Sequence, residues 1–220
     1  MSDDLLMMLL ADARLPVAGH TQSGQLEAAV RSGLTAEQVP LFMRSRLASV
    51  VRVEAGTAVV ALHRLCAGLL LEPVYDAWAA RTPAAPMRDT SRNLGRALLR
   101  LVRRLFPDSP HLAEVAGIER PCRPIVLAAA AAIGGIAPAS LGRLVAYDDL
   151  QTVASASLKL LPLDPLDATS WVHDLLPEAE RLATEVAPLT EPHHIPAPSA
   201  PQLDLWAQTH AHTTRRLFSA

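Results

Sequence analysis

The chain has 220 residues, enough for one substantial core or at most two small domains. Half of them are hydrophobic and only 4% aromatic; the apolar bulk is alanine and leucine, which favour helix, so the composition points to an all-α protein. A net charge of −2 and a pI of about 6.4 argue against a nucleic-acid protein working by bulk electrostatics, and Cys66 and Cys122 are too few for a disulfide framework or a zinc set.

The first segment, MSDDLLMMLLADAR, carries acids where a secretion signal needs basic residues, so a cytoplasmic protein is expected. Ser2 and Asp3 are placed to cap a short helix that ends before Pro16. The stretch LPVAGHTQSGQLEAAV then spends Pro16, Gly19, His20, Ser23 and Gly24 on a corner, with Ser23 as the expected cap of a second helix that stops at Gly33. Thr35 and Gln38 have capping-box spacing. Pro40 fits a first turn, from which one helix is expected to run toward Gly68, with Gly56 as the candidate break. A shorter helix is expected around Val74 to Ala80.

From Met87 to Leu105 the periodicity is clearest. Met87, Ser91, Leu94, Leu98, Leu101 and Leu105 form a stripe expected to be buried, and Arg88, Arg92, Arg96, Arg100 and Arg103 climb the other side. That arginine stripe reads equally as a solvated face or as a surface for an acidic partner. PDSP ends the helix, Ile125 to Ile133 reads as a helix buried all round, and Pro138 opens another that Pro162 and Pro165 close. Asp167 is expected to begin the next, with Leu175, Leu176, Ala179, Leu182 and Val186 inward. The longest uncharged run, Pro124 to Gly142, is rich in alanine and is broken at Gly134, Gly135 and Pro138, so a buried segment is expected there and not a membrane span. Five prolines from Ala187 to Pro201 read as a mobile or extended linker, followed by a terminal helix. The expected organisation is a single-domain bundle of about eight to ten helices: a helical core over 1–187, a linker over 188–201 and a partner-binding helix over 202–220.

The search for chemistry excludes several classes. GHTQSG lacks the lysine of a phosphate-binding loop and does not match GxGxxG, and Ser23 is not in GxSxG. His210 and His212 point to opposite sides of a helix, and His193–His194 has no local carboxylate or cysteine partner. Asp148–Asp149 is a single acidic pair with no repeat along its helix, and is expected at the surface. No catalytic residue, resident cofactor or metal site emerges.

Four blocks, in order along the chain, resemble the urease accessory protein F (UreF) family. LPVAGHTQSGQLE carries Leu15, Pro16, Gly19, Ser23, Leu26 and Glu27 of the family's corner, with Ala18, His20 and Gln22 as departures. RDTSRNLGRALLR carries Arg88, Ser91, Gly95 and Arg96. SASLKLLPLD places Lys159 at the family's basic position and Asp164 where glycine is usual. HAHTTRRLFSA matches at His210, Arg216, Leu217, Phe218 and Ser219, with Ala211 in place of an acid.

The resemblance implies an all-α, non-catalytic scaffold that dimerises, binds UreD (UreH in some species), recruits the GTPase UreG and docks on the urease apoprotein. Nickel would pass in transit and GTP would be held by the partner, with no nucleic acid or membrane involved. It nominates Pro16, Gly19, Ser23, Glu27, Arg88, Arg96, Lys159, Trp206, His210, Arg216, Leu217 and Phe218 for partner interfaces or a channel. Glu27 has a second reading, support of its own helix N-terminus. Leu203, Trp206, Leu217 and Phe218 are expected to order against UreD, and Arg216 to meet UreG. The competing classes are an all-α transcriptional regulator or ligand-binding protein, short of cations in its first 40 residues, and a helical metal-dependent enzyme.

Overall fold

A computed structural model describes residues 3–12, 14–17, 19–214 and 216–219, with only the backbone of His20. Ser2 and Ala18 lie outside these. Every regular element among the described residues is helical: α1 (Asp3–Leu10), α2 (Leu26–Arg31), α3 (Val39–Ala48), α4 (Val50–Cys66), α5 (Glu72–Arg81), α6 (Ala85–Leu105), α7 (Pro110–Ala116), α8 (Arg123–Gly134), α9 (Pro138–Leu160), α10 (Pro165–Val186) and α11 (Pro201–Ala211). Short 3₁₀ turns at Gly19–Thr21, Ala36–Gln38 and Pro192–His194 join them. Proline occupies the first turn of most of these helices, where its missing N–H costs nothing.

Helices α4 and α8 are the centre. Pro124 through Ala131 are all buried, as expected of a segment apolar on every side, and its alanines let α4 and α6 approach closely. Helices α9 and α10 pair along most of their length, and Gly142 provides the close crossing, since a Cβ there would stand 3.1 Å from Ala183 Cα. Asp164 caps α10 by accepting the Leu166 N–H at 2.9 Å, so the helix begins ahead of the expected Asp167. Leu176, expected inward, is 41% exposed. The capping-box pair holds its own turn: Thr35 N–H donates to Gln38 Oε1 at 3.0 Å.

Four departures from the sequence reading have local causes. The helix expected to run toward Gly68, with Gly56 as its candidate break, breaks instead at Ser49 (φ −126°, ψ −93°). Gly56 lies inside α4 because Pro196 packs onto it, and a Cβ would come within 2.7 Å of the Pro196 ring. The proline-rich stretch is consequently not a free linker. Ile195 is buried, and Arg81 donates to the carbonyls of Ile195 (2.7 Å) and His193 (3.2 Å). The PDSP stop leads straight into α7, which periodicity had not revealed.

The buried face of α6 is the fourth. It consists of Met87, Ser91, Gly95, Leu98, Leu99 and Val102, so the stripe is rotated and Leu105 is left exposed. The reason is Gly95. A Cβ there would lie 2.2 Å from the Pro121 carbonyl oxygen, so only glycine lets α6 rest on the backbone that leads into α8.

Candidate functional site: the corner, the tail and the buried ionic layer

The corner between α1 and α2 turns through two successive left-handed residues, Gly24 (φ 58°) and Gln25 (φ 67°). Helix α2 starts at Leu26 with Gln25 at the cap, two residues later than the sequence suggested. Ser23 is fully buried, and its hydroxyl accepts the Glu27 N–H at 3.4 Å. What holds the left-handed pair is Arg46 of α3. Its guanidinium donates to the Gly24 carbonyl at 2.8 Å, and from the other edge to Asp149, with Nε 2.9 Å from Oδ2. Asp148–Asp149 is therefore not a surface pair: Asp149 is locked by Arg46, and Asp148 by Arg123 at 2.9 Å. Both arginines sit on helices that flank the acids, which a one-dimensional search for repeated carboxylates could not detect.

These groups line a cavity of about 130 Å³ together with Glu54, Ser91, Gly19 and Gly24. Trp78 Nε1–H donates to Glu54 at 2.9 Å, and the Ser91 hydroxyl accepts the Arg123 N–H at 3.3 Å. Burial pushes the Glu54 carboxyl above its ordinary range, against the pull of Trp78 and Arg123. It does the same to Asp148, in part against Arg123. A second cavity adjoins, sharing Val17, Gly19, Gln22, Arg123, Asp148 and Thr152, and reaching Lys159 and Phe218. Neither Glu54 nor Arg46 drew notice in the sequence. The available signal was charge inside a largely apolar helical run, Glu54 after Arg52 and Arg46 after Arg44.

The C-terminal tail closes the other side of the corner. Glu27 is 2% exposed, and its two oxygens accept the N–H groups of Leu217 (2.8 Å) and Phe218 (2.9 Å). Buried His210 places Nε2 at 3.1 Å, and Arg31 approaches at 3.1 Å one turn along α2. Burial pushes this carboxyl up, but the N–H groups of Leu217 and Phe218 with His210 outweigh it and hold Glu27 below the usual glutamate range. Ser219 completes the seam, its N–H donating to the Thr21 carbonyl at 2.8 Å and its hydroxyl taking the Gln22 amide at 3.1 Å. Lys159 lies over the Phe218 ring, 5.2 Å from its centroid.

The nominated residues are thus distributed unequally. Gly19, Ser23, Glu27, Lys159, His210 and Phe218 meet at the corner. Pro16 is exposed on its outer side. Leu203 and Phe218, expected to await a partner, are buried within the chain, while Leu217 is 62% exposed. Trp206 is half-buried against Phe42, with ring centroids 5.8 Å apart. Arg88 is spent locally on the carbonyls of Thr82 and Pro83 (2.6 and 2.7 Å), whereas Arg96 and Arg216 are exposed without an ion pair among the described residues. Glu27 lines neither cavity.

All four sequence blocks therefore converge. The corner and tail share Glu27, the third block reaches them through Lys159, and Asp89, Thr90 and Asn93 of the second face His210, Arg216 and Ser219 across a cleft. The UreF family model matches residues 34–176. The chain belongs to the UreF family. Similar full-length relatives are named urease accessory protein UreF. That of Mycolicibacterium vanbaalenii is 34% identical over 231 residues, covering all of both chains, and that of Mycobacterium sp. strain JLS is 36% identical over 97% of each. The UreF protein of Mycobacterium tuberculosis H37Rv is 34% identical, again over 97% of each. Among the described residues of this UreF chain, no group of three or more His, Cys, Asp or Glu could hold a metal ion, and no helix is long and apolar enough to cross a membrane.

Proposed function

We propose that this UreF chain is a non-catalytic scaffold of urease maturation, which binds UreD (UreH) and recruits UreG as GTP-dependent nickel delivery to the urease apoprotein proceeds. In this reading it works in the cytoplasm as a homodimer, nickel is cargo and not a resident metal, and GTP stays on UreG. Support comes from one arrangement: Glu27 of the corner block ties it to His210, Leu217 and Phe218 of the tail block, its donors coming from α2, α11 and the tail. A carboxylate satisfied by two backbone N–H groups fixes where the neighbouring exposed side chains point. Leu217 and Arg216 are then displayed on the seam, and arginine is among the residues enriched at the energetic centres of protein interfaces.

The test is co-expression with UreD and UreG of the same organism, followed by size exclusion with light scattering. The wild type is expected to elute as a complex containing two copies of the chain. A chain ending at Ala211 loses the seam and is expected to lose UreD, while Arg216→Ala keeps UreD and loses UreG. A wild-type chain that elutes alone refutes the scaffold reading.

A further inference from the structure

The arginines of α6 do not share one role. Arg88 is bonded to backbone carbonyls at the helix start, and Arg92 donates to the Tyr75 hydroxyl at 2.8 Å while lying over the Tyr75 and Trp78 rings. Beyond Gly95 the situation reverses. Arg96, Arg100, Arg103 and Arg104 are all exposed, and none makes a hydrogen bond or ion pair among the described residues. The first three recur at i, i+4 and i+7, so they stand in one row about 10 Å long. Helix-dipole complementarity accounts for cations in the last turn only, which leaves Arg96 and Arg100 unexplained by the fold. The row does not end with the helix. One turn before Arg96, Asn93 lines the cleft that Arg216 lines from the other side.

We infer that the row Arg96–Arg100–Arg103 is a docking surface for an acidic protein segment, a helix presenting carboxylates at the same spacing. A chain of net charge −2 keeps four guanidinium groups together there. Guanidinium is the cation whose planar fork takes a carboxylate through two parallel bonds. Nucleic acid fits less well. The segment after Arg104 carries Asp108, Glu114 and Glu119 before its next cation, Arg120, and would oppose an extended phosphate backbone. Among the described large apolar residues on the surface, the only aromatic one is Tyr147, which lies on α9, and Phe106 at the end of α6 packs against the core, so the row has no exposed aromatic ring beside it for a base to stack on. The apolar side of α6 is occupied by the core, so the helix has no face with which to enter a lipid surface. The inference does not depend on which protein supplies the acids, and so stands apart from the scaffold reading.

The test is an NMR titration of the full chain, following the arginine side-chain Nε–H signals. The probe is a synthetic alanine-based helical peptide of about four turns with glutamate at i, i+4, i+7 and i+11. The variants are Arg96→Gln/Arg100→Gln/Arg103→Gln and the corresponding triple lysine change. These side chains make no internal bond, and unchanged melting establishes that the variants are folded. Saturable shifts confined to this row are expected, with affinity about tenfold lower in the glutamine variant and intermediate in the lysine one, and weakened by salt. Absence of binding, equal affinity in the glutamine variant, or undiminished affinity with lysine overturns the inference. So does tighter binding of a short DNA duplex or of phosphatidylserine vesicles than of the peptide at the same salt.

Discussion

Glu27 and Glu54 are both carboxylates withdrawn from water, at opposite edges of the same corner, yet their acidities move in opposite directions. Glu27 is held low, whereas Glu54 is pushed high. Burial disfavours either charge, and the outcome turns on whether the donors outweigh it: they do at Glu27 and do not at Glu54. Around Glu27 stand two backbone N–H groups, His210 and Arg31. Glu54 has Trp78 and a long contact from Ser91, and Asp149 adds repulsion nearby. The first glutamate stabilises the fold by being charged. The second is tolerated in spite of it, in a layer whose two arginines are already committed to Asp148 and Asp149.

Removing the donors' target should have the largest effect. Glu27→Ala leaves His210 and two tail N–H groups unpaired in a buried seam, a loss of about 3 kcal/mol. Hydrogen exchange should show it first at the Leu217 and Phe218 amides, ahead of α8. The same contrast has a pH signature. Because the folded pKa of Glu27 lies below its unfolded value, its contribution is complete above about pH 5 and is lost as the pH falls through the lowered folded value. Tail-amide protection should therefore fall on acidification before the core melts, and Glu27→Gln should flatten that dependence.

Gly95→Ala is expected to cost about 2 kcal/mol, read as a lower Tm, because the new Cβ must push α6 off the Pro121 carbonyl. That movement draws Ser91 away from Arg123 and opens the Glu54 side of the corner while leaving the Glu27 seam in place. Glu54→Gln should be the mild counterpart. The folded pKa of Glu54 is raised, so its charge costs stability above the unfolded value and the cost is relieved as pH falls. A neutral amide that still accepts from Trp78 should change stability at pH 7 by less than about 1 kcal/mol, in the stabilising direction. If denaturant midpoints show Glu54→Gln as damaging as Glu27→Ala, the contrast is broken. Arg100→Gln, on the free row of α6, should fall within about 0.5 kcal/mol of wild type.

Much of this was legible in one dimension. Alanine and leucine abundance, proline in first turns and the spacing of apolar residues placed most helices, because these signals are local. The four blocks pointed to UreF by their order alone. What failed was each inference that required knowing a neighbour. The stripe on α6 was drawn through Leu94 and Leu105 because large apolar residues were counted and Gly95 was not. The Asp148–Asp149 pair was placed at the surface because its partners, Arg46 and Arg123, are far away in the chain. The proline-rich stretch was set free because proline says nothing about Arg81 waiting for the carbonyls of His193 and Ile195.

By itself, then, the sequence determined the fold class, most of the helices and the family, since propensity, capping and motif order are carried by residues within a few positions of one another. Only the tertiary structure decided which charges are spent and which remain free. Glu27 is consumed by the tail 190 positions away, Arg46 by Asp149, and Arg92 by Tyr75, while Arg96, Arg100 and Arg103 on the same helix face outward. A charge has no fixed role along a chain, because its energy depends on how many donors or acceptors the fold brings within about 3 Å and how much water it leaves behind.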